Sequence, residues 1–338
     1  MNASKTKAIW IGSKKYSNDV LCPNVNLHWS HSNFRLLGLE FSLDINSMVD
    51  INFQKKIKDV TKLLKSWQHR KLTLIGKVTV IKTLALPKLV HLFTSLPNIK
   101  QSMISELNKI FFNFIWDGKA EKIKRDTLIG DFCQGGLKMT HIESFMAYLK
   151  TTWVKRFFND PYGVWQKVVE AELKIYGGSR ILKLEKEKLK EIALNIKNQF
   201  WKDVLFGLYR IKQPVKSDIT VMLSLDILNF VPVDDFPYFL KWKNVGIEHI
   251  FEIIDKVRKD FLTFEQIRQK CQTSNFLKYY TLITSIPKYI KDCIHQRLSD
   301  INLATFHIHD FFLERILRTK DLKFLYNNAI QNMLGNIL

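Results

Sequence analysis

Five apolar residues in the first third of the chain recur with the spacing of a single helix face. Phe53, Ile57, Val60, Leu64 and Trp67 are separated by four, three, four and three residues, so they lie on one stripe of an α-helix. Lysines fill many of the intervening positions and therefore lie on the other faces. This pattern predicts an amphipathic helix that buries one face and presents cations on the rest.

Two further helices are predicted directly after this one. The second has its apolar face at Leu74, Val78, Ile81 and Ala85. We expect it to end near Pro87, because proline lacks an N–H and its ring clashes with the preceding turn. The third runs from about residue 101 to residue 116 and is closed by Asp117-Gly118. Residues 51–117 are thus predicted to form a three-helix bundle.

The densest positive charge of the chain falls within this bundle. Residues 55–88 contain ten Lys or Arg and one acid, Asp59, in a chain of 338 residues with 52 Lys or Arg, 32 Asp or Glu and a net charge of +20. With so few carboxylates available for ion pairs along the helices, repulsion among the lysines is uncompensated unless a polyanion lies alongside. A solvated face is the alternative for any single basic helix, but the size of this excess favours nucleic acid.

The regions on either side of the bundle have different patterns. Short apolar runs at residues 7–11 and 34–41, separated by turn-forming residues, predict strands. From about residue 140 the pattern is again helical, with capping boxes predicted at Thr140 with Glu143 and at Thr263 with Gln266. We therefore predict a mainly α protein, with a small β-containing part at residues 1–50, the bundle at 51–117 and a larger α-helical domain at 118–338.

Cysteine usage and hydropathy indicate where such a chain resides. The four cysteines, Cys22, Cys133, Cys271 and Cys293, are far apart and form no Cys-x-x-Cys pair, which is typical of a reduced compartment. The longest uncharged stretches are shorter than a membrane-spanning helix, and the first residues do not match a signal peptide. We expect an intracellular protein of the nucleus or cytoplasm, neither secreted nor embedded in a membrane.

A set of short motifs follows in a recognisable order. The stretch from Trp67 to Lys88 reads Trp-x-x-Arg-x-Leu-Thr-x-x-Gly-Lys, then Val-Ile-Lys and Leu-Pro-Lys. It is similar to the thumb signature of reverse transcriptases from LINE-type (non-LTR) retrotransposons. Residues 4–12 resemble the motif D segment of that family, and residues 34–39 resemble its primer grip. Phe114-Ile115-Trp116 and Gly135-Gly136-Leu137 resemble the region just past the thumb, and residues 242–280 resemble a later and looser pattern.

The resemblance implies a role for each segment. Residues 1–50 would be a palm remnant, with Lys5 or Lys7 near the polymerase site and Leu37 and Gly38 near the primer terminus. The thumb helices would lie against the backbone of a template–primer duplex, where cations give affinity without reading sequence. With the charge pattern, this predicts a set of duplex-binding cations: Lys62, Lys65, Arg70, Lys71, Lys77, Lys82 and Lys88. The alternative is that the two glycines at positions 38 and 76 only form turns and that the lysines only solubilise the chain.

Catalysis in that family depends on Mg²⁺ ions held by palm carboxylates, all of which precede motif D. Because this sequence begins at motif D, we expect no polymerase activity, no catalytic or metal-binding residues and no cofactor. Val233-Asp234-Asp235 mimics the family's catalytic pair, but Pro232 and Pro237 disfavour a hairpin there, so a polar turn is predicted. The Cys and His residues also lack the spacing of a zinc site.

Three functions are compatible with these observations. The first is a truncated reverse-transcriptase-derived protein that binds RNA, DNA or a template–primer hybrid through its basic thumb-like surface. The second is an α-helical structural or protein-interaction module, in which Trp153, Phe157, Phe158 and Trp165 would form a partner groove if they are not core residues. The third is the tail of a longer, active RNA-directed DNA polymerase whose amino-terminal region is missing here.

Overall fold

The computed structural model confirms a mainly α protein with a small β part. It describes residues 6–15, 17–19, 27–30, 33–160, 163–213, 218–255, 257–272, 275–301, 306–308, 311–318 and 322–335. The chain divides into two compact units, here called unit 1 (residues 1–146) and unit 2 (residues 147–338). The boundary expected after residue 117 therefore falls inside unit 1. Residues 118–146 belong there because Leu128, Ile129 and Met139 are buried and the Arg125 guanidinium stacks on the Phe112 ring.

Unit 1 begins with two pairs of short strands and continues with helices. Strands β1 (Lys7–Ala8) and β2 (His28–Trp29) pair in parallel, and β3 (Asn33–Leu36) and β4 (Leu39–Ser42) form an antiparallel hairpin. The helices are α1 (Ile45–Gln68), α2 (Leu74–Val80), α3 (Pro87–Ser95), α4 (Gln101–Trp116) and α5 (Arg125–Ile129). Helix α6 (Ile142–Asn159) starts in unit 1 and continues in unit 2.

Helix α1 has the predicted amphipathic form. Asp44 caps it by accepting hydrogen bonds from the backbone N–H groups of Asn46 and Ser47. Phe53, Ile57, Val60 and Leu64 are all buried along one stripe, and Trp67 at the end of that stripe is half-buried. The buried face packs against α3 and α4, with the Phe53 and Phe93 ring centroids 5.4 Å apart. The opposite face of α1 is exposed.

The prediction that the second helix ends near Pro87 is wrong. A π-helical turn, Ile81–Ala85, joins α2 to α3, and the chain stays helical from Leu74 to Ser95. The N–H of Leu86 donates to the carbonyl of Ile81, five residues earlier, at 2.9 Å. This wider turn comes directly before the proline, so the missing N–H and the bulky ring are accommodated without ending the helix.

Two other predicted helix boundaries can be compared with the structure. Helix α4 ends as expected, because Asp117 and Gly118 adopt left-handed backbone conformations, with φ of 52° and 72°. The N-cap of α6 lies one residue after Thr140, where a capping box with Glu143 was expected. Helix α6 begins at Ile142, and the N–H of Ser144 donates to Nδ1 of His141 at 3.3 Å, so the imidazole takes the capping role.

Unit 2 contains most of the buried apolar residues. Its longer helices are α7 (Val164–Leu173), α8 (Lys186–Asn195), α9 (Gln199–Ile211), α13 (Phe276–Ser285), α14 (Lys288–Arg297), α15 (Phe311–Arg318) and α16 (Lys323–Gly335). The shorter elements are α10 (Ile219–Leu223), α11 (Phe236–Phe239), α12 (Phe264–Lys270) and the antiparallel pair β5 (Ile254–Asp255) and β6 (Asp260–Phe261). The capping box of Thr263 with Gln266 opens α12 as predicted.

A buried ion pair and a more exposed one join residues of unit 2 that are distant in sequence. The Arg180 guanidinium binds the carboxylate of Asp226, with Nη2 2.7 Å from Oδ1, and also donates to the carbonyl of Glu248 at 2.9 Å. Both partners in the pair are buried. The Asp234-Asp235 sequence forms a short 3₁₀ helix, as a polar connection would, and Asp235 is ion-paired with Lys278. No helix among the described residues is both long and apolar enough to cross a bilayer.

Candidate nucleic-acid interface

Four exposed lysines form a row along α1. Lys55, Lys58, Lys62 and Lys65 are separated by three, four and three residues, so they share one face of the helix. This face is opposite the buried stripe and therefore points away from α3 and α4. The row extends for about 15 Å along the helix axis. We call these four lysines the α1 basic stripe.

The stripe is not neutralised by carboxylates. Within the part of the chain that the structure describes, none of its four ammonium groups is ion-paired. The acids of α1 are directed elsewhere: Asp59 lies 3.9 Å from Lys56, and Asp50 lies 2.7 Å from Lys100. Four uncompensated cations on one exposed face make a surface suited to a row of phosphates.

The connection that follows α1 adds two more exposed cations. Arg70 and Lys71 lie in the short link between α1 and α2. The Arg70 guanidinium stacks on the Trp67 ring, 4.2 Å from its centroid. A stacked guanidinium is held in position while its N–H donors remain along its edge, and this geometry suits phosphate oxygens.

The other predicted cations lie on several elements. Lys82 is exposed on the π-helical turn, Lys88 is exposed in the first turn of α3, and Lys7 is exposed on β1. Lys5 lies outside the described residues. These positions are accessible to a polyanion.

The hairpin of β3 and β4 presents an apolar tip. Leu37 and Gly38 form its two-residue turn, with φ of 49° and 83°, a pair of positive values typical of a type I′ turn. The Leu37 side chain is 84% exposed. The hairpin is fixed to α1 by Asn52, whose side chain donates to the Glu40 carbonyl at 2.7 Å and accepts from the Glu40 N–H at 2.9 Å.

Lys77 departs from the prediction that it lies on the binding surface. It is 6% exposed, and its ammonium contacts the carboxylate of Asp117 at 2.6 Å and the carbonyl of Ile115 at 3.1 Å. Both partners belong to the carboxyl end of α4, where backbone carbonyls lack helical partners and a cation is favourable. Lys77 therefore serves the packing of α2 against α4.

A small cavity beside Lys77 brings a third group of cations into this unit. Its volume is about 190 Å³, and exposed Lys119 and Lys122 are on its rim together with Trp116. Nearby Arg125 contributes little free charge, because it is ion-paired with Glu121. The hydrogen bond from Arg125 holds the pKa of the Glu121 carboxyl below its ordinary value.

Sequence reasoning missed two members of the α1 basic stripe. Lys55 and Lys58 were not among the predicted duplex-binding residues, although they continue the row of Lys62 and Lys65 toward the start of α1. The same three-and-four spacing that identified the apolar stripe would have found them.

The structure also bears on the remaining candidate ligands. Cys133, Cys271 and Cys293 form no disulfide with one another, and Cys22 lies outside the described residues. Among the described residues, no three His, Cys, Asp or Glu side chains are grouped as metal ligands would be. A comparison with models of known protein families found no match to this chain.

Proposed function

We propose that this protein binds nucleic acid through unit 1, with the α1 basic stripe as the principal contact. The observation that carries the proposal is the set of four exposed lysines on one helix face without carboxylate partners among the described residues. Arg70, Lys71, Lys82 and Lys88 extend the cationic surface. Contacts of this kind bind the phosphate backbone and do not read sequence.

The motif resemblance supports the choice of ligand within this proposal. A protein derived from the thumb of a LINE-type reverse transcriptase would bind a template–primer hybrid, or RNA or DNA of either strand type. The proposal gives the chain a binding role and assigns none of its residues to nucleotidyl transfer, for which that family uses Mg²⁺ on palm carboxylates.

Salt dependence of binding to a fluorescent RNA–DNA hybrid duplex tests the proposal. Each phosphate neutralised contributes about −0.9 to the slope of log K against log salt for a duplex, so the stripe contributes about −4. The test variant combines Lys55→Gln, Lys58→Gln, Lys62→Gln and Lys65→Gln. We expect its affinity to fall at low salt and its slope to become shallower by about 3 to 4.

The matched control removes the same amount of charge elsewhere. It combines Lys174→Gln, Lys197→Gln, Lys241→Gln and Lys270→Gln, four exposed lysines scattered over unit 2. We expect this control to retain the wild-type slope. Equal losses in both variants would mean that net charge alone attracts the duplex, and an unchanged slope in the stripe variant would refute the proposed contact.

A protein-interaction module is the second candidate, and one surface favours it. On α13, Phe276, Leu277 and Tyr280 are all exposed, with the Phe276 and Tyr280 rings stacked at 6.2 Å. Exposed apolar groups of this size are typical of contact surfaces. A protein partner of this surface would bind the stripe variant as tightly as it binds the wild type, whereas nucleic acid would not.

A further inference from the structure

Unit 2 contains a larger cavity that the proposed nucleic-acid contact does not use. Its volume is about 540 Å³, within the range of small-molecule sites. The carboxyl-terminal half of α6 and the start of α7 supply most of its lining, including Trp153, Lys155, Arg156, Asp160 and Trp165. Two indoles, two cations and one carboxylate therefore face the same space.

The indoles form a fixed aromatic corner. The rings of Trp153 and Trp165 are 5.6 Å apart and nearly perpendicular, and the Phe200 ring meets Trp153 edge-on from a distance of 5.3 Å. Edge-to-face contacts of this kind hold an aromatic side chain in one orientation. An indole held in this way offers a flat surface on which another planar ring can stack.

Arg156 supplies a positioned cation at this corner. Its guanidinium lies 4.7 Å from the centroid of the Trp153 ring, and the side chain is exposed. Among the described residues it has no ion pair, although Asp160 follows it by one helical turn. A guanidinium that is stacked and unpaired is suited to bind a phosphate in a bidentate manner.

We infer that this cavity binds a nucleotide, with the base stacked on one of the two indoles and the phosphate on Arg156. The Asp160 carboxylate then accepts hydrogen bonds from base N–H groups, such as the N3–H of uracil, and Lys155 adds positive charge. The choice of a nucleotide over another aromatic anion rests on the proposed nucleic-acid binding of unit 1. The nucleotide comes either from a single strand or from the free pool, since both carry the same base and phosphate.

Photo-cross-linking of the 338-residue chain tests this inference. The probes are a single-stranded oligonucleotide of twelve residues containing one 5-iodouracil and free 5-iodouridine monophosphate, both of which cross-link to aromatic side chains on which the iodouracil stacks. We expect mass spectrometry to locate the cross-link in the peptides of Trp153 or Trp165. Cross-linking by the oligonucleotide alone assigns the site to single strands, and cross-linking by both assigns it to nucleotides in general.

Substitutions of Arg156 separate its stacking from its charge. Arg156→Gln removes both, and we expect about 10-fold to 100-fold weaker binding of the probe that cross-links, from the loss of a charge-assisted phosphate contact. Arg156→Lys keeps the charge but not the planar stack, and we expect an intermediate loss. The control Arg268→Gln removes an exposed arginine on α12, away from the cavity, and should leave binding unchanged.

The outcome distinguishes this inference from the proposed function. The quadruple stripe variant should still cross-link, at Trp153 or Trp165, the probe that cross-links to the wild type, while losing duplex affinity. If cross-links fall only in unit 1, or if Arg156→Gln binds both probes as tightly as the wild type does, the cavity is not a nucleotide site, and duplex binding by unit 1 is unaffected by that result.

Discussion

At the scale of single residues, Lys77 shows how a lysine inside a basic motif can serve the fold instead of a ligand. Its ammonium reaches the Ile115 carbonyl in the last turn of α4 and the carboxylate of Asp117. Positive charge at a helix carboxyl terminus is favourable both as a hydrogen-bond donor and through the helix dipole. We therefore expect Lys77 to contribute to stability and not to the salt dependence of binding.

Replacing Lys77 tests this assignment. We expect Lys77→Met to lower the free energy of unfolding by about 1.5–3 kcal/mol, because a charged hydrogen bond is lost and a buried carbonyl is left without its donor. Lys82→Met, on the exposed side of the next helical turn, should change stability by less than about 0.5 kcal/mol. Urea denaturation of both variants measures the difference. Equal stability of the two variants would contradict a structural role for Lys77.

The tip of the β3–β4 hairpin carries backbone strain at Leu37. A leucine with a φ of 49° occupies the left-handed region, which costs about 1 kcal/mol for a side chain of this kind and less for asparagine. Its side chain is also almost fully exposed, so packing does not offset that cost. A strained, exposed leucine at the end of a hairpin is consistent with a contact surface.

An asparagine at this position should relieve the strain. Asn-Gly is the preferred pair for a type I′ turn, so we expect Leu37→Asn to raise the free energy of unfolding by about 0.5–1 kcal/mol. The same substitution at Leu36, which lies in the extended strand, should lower it, because asparagine is unfavourable in strands. If the tip contacts a ligand, Leu37→Asn also weakens hybrid binding. Thermal denaturation measures the change in stability, and fluorescence anisotropy of a labelled hybrid measures the change in binding. A loss of stability in Leu37→Asn would contradict the assignment of strain to Leu37.

At the scale of elements, apolar periodicity predicts the helices. It does not predict the places where the backbone departs locally from α-helical geometry. Helices α1 and α4 follow from their apolar spacing, and the end of α4 follows from Asp117-Gly118. The continuation through Pro87 does not follow from any pattern, because residue spacing does not reveal the π turn at Ile81–Ala85. The cap at His141 was not predicted either, because imidazole is a less common capping group than hydroxyl.

The candidate sites divide in the same way. The α1 basic stripe is defined by lysines three and four residues apart, so all four of its members could be predicted from the sequence. The burial of Lys77 depends on the approach of α4, which is distant in sequence, and local spacing does not report it. Trp153 and Trp165 have the spacing of core residues, and only the structure shows that one wall of a cavity is formed by their rings.

At the scale of the whole molecule, the net charge of +20 overstates the cationic surface. Lys77, Lys150, Arg180 and Lys212 are all buried. In addition to the contacts of Lys77 and Arg180, the Lys212 ammonium donates to the carbonyls of Lys183 and Leu184 at 2.8 and 2.7 Å. Cations used in this way join elements within a unit and add nothing to the attraction of a polyanion at close range.

Lys150 makes the stability of the chain depend on pH. Burial lowers the pKa of its ammonium from 10.5 to about 7, and the charge of Asp203 opposes that shift only in part. Below pH 7 the lysine is charged both folded and unfolded, and the full cost of burying the charge is present. Between pH 7 and 10.5 the folded chain has released a proton that the unfolded chain keeps, so the free energy of unfolding rises with pH.

The comparison of wild type with Lys150→Met isolates this effect from all other titrating groups. A lysine that is neutral only in the folded chain changes the free energy of unfolding by at most about 1.4 kcal/mol per pH unit. We therefore expect the free energy of unfolding of the wild type, relative to that of the variant, to rise by about 2–3 kcal/mol from pH 7 to pH 9. Urea denaturation at each pH measures it. A difference that stays constant, or one that falls, would mean that Lys150 keeps its proton in the folded chain over this range, with the Asp203 carboxylate outweighing the effect of burial.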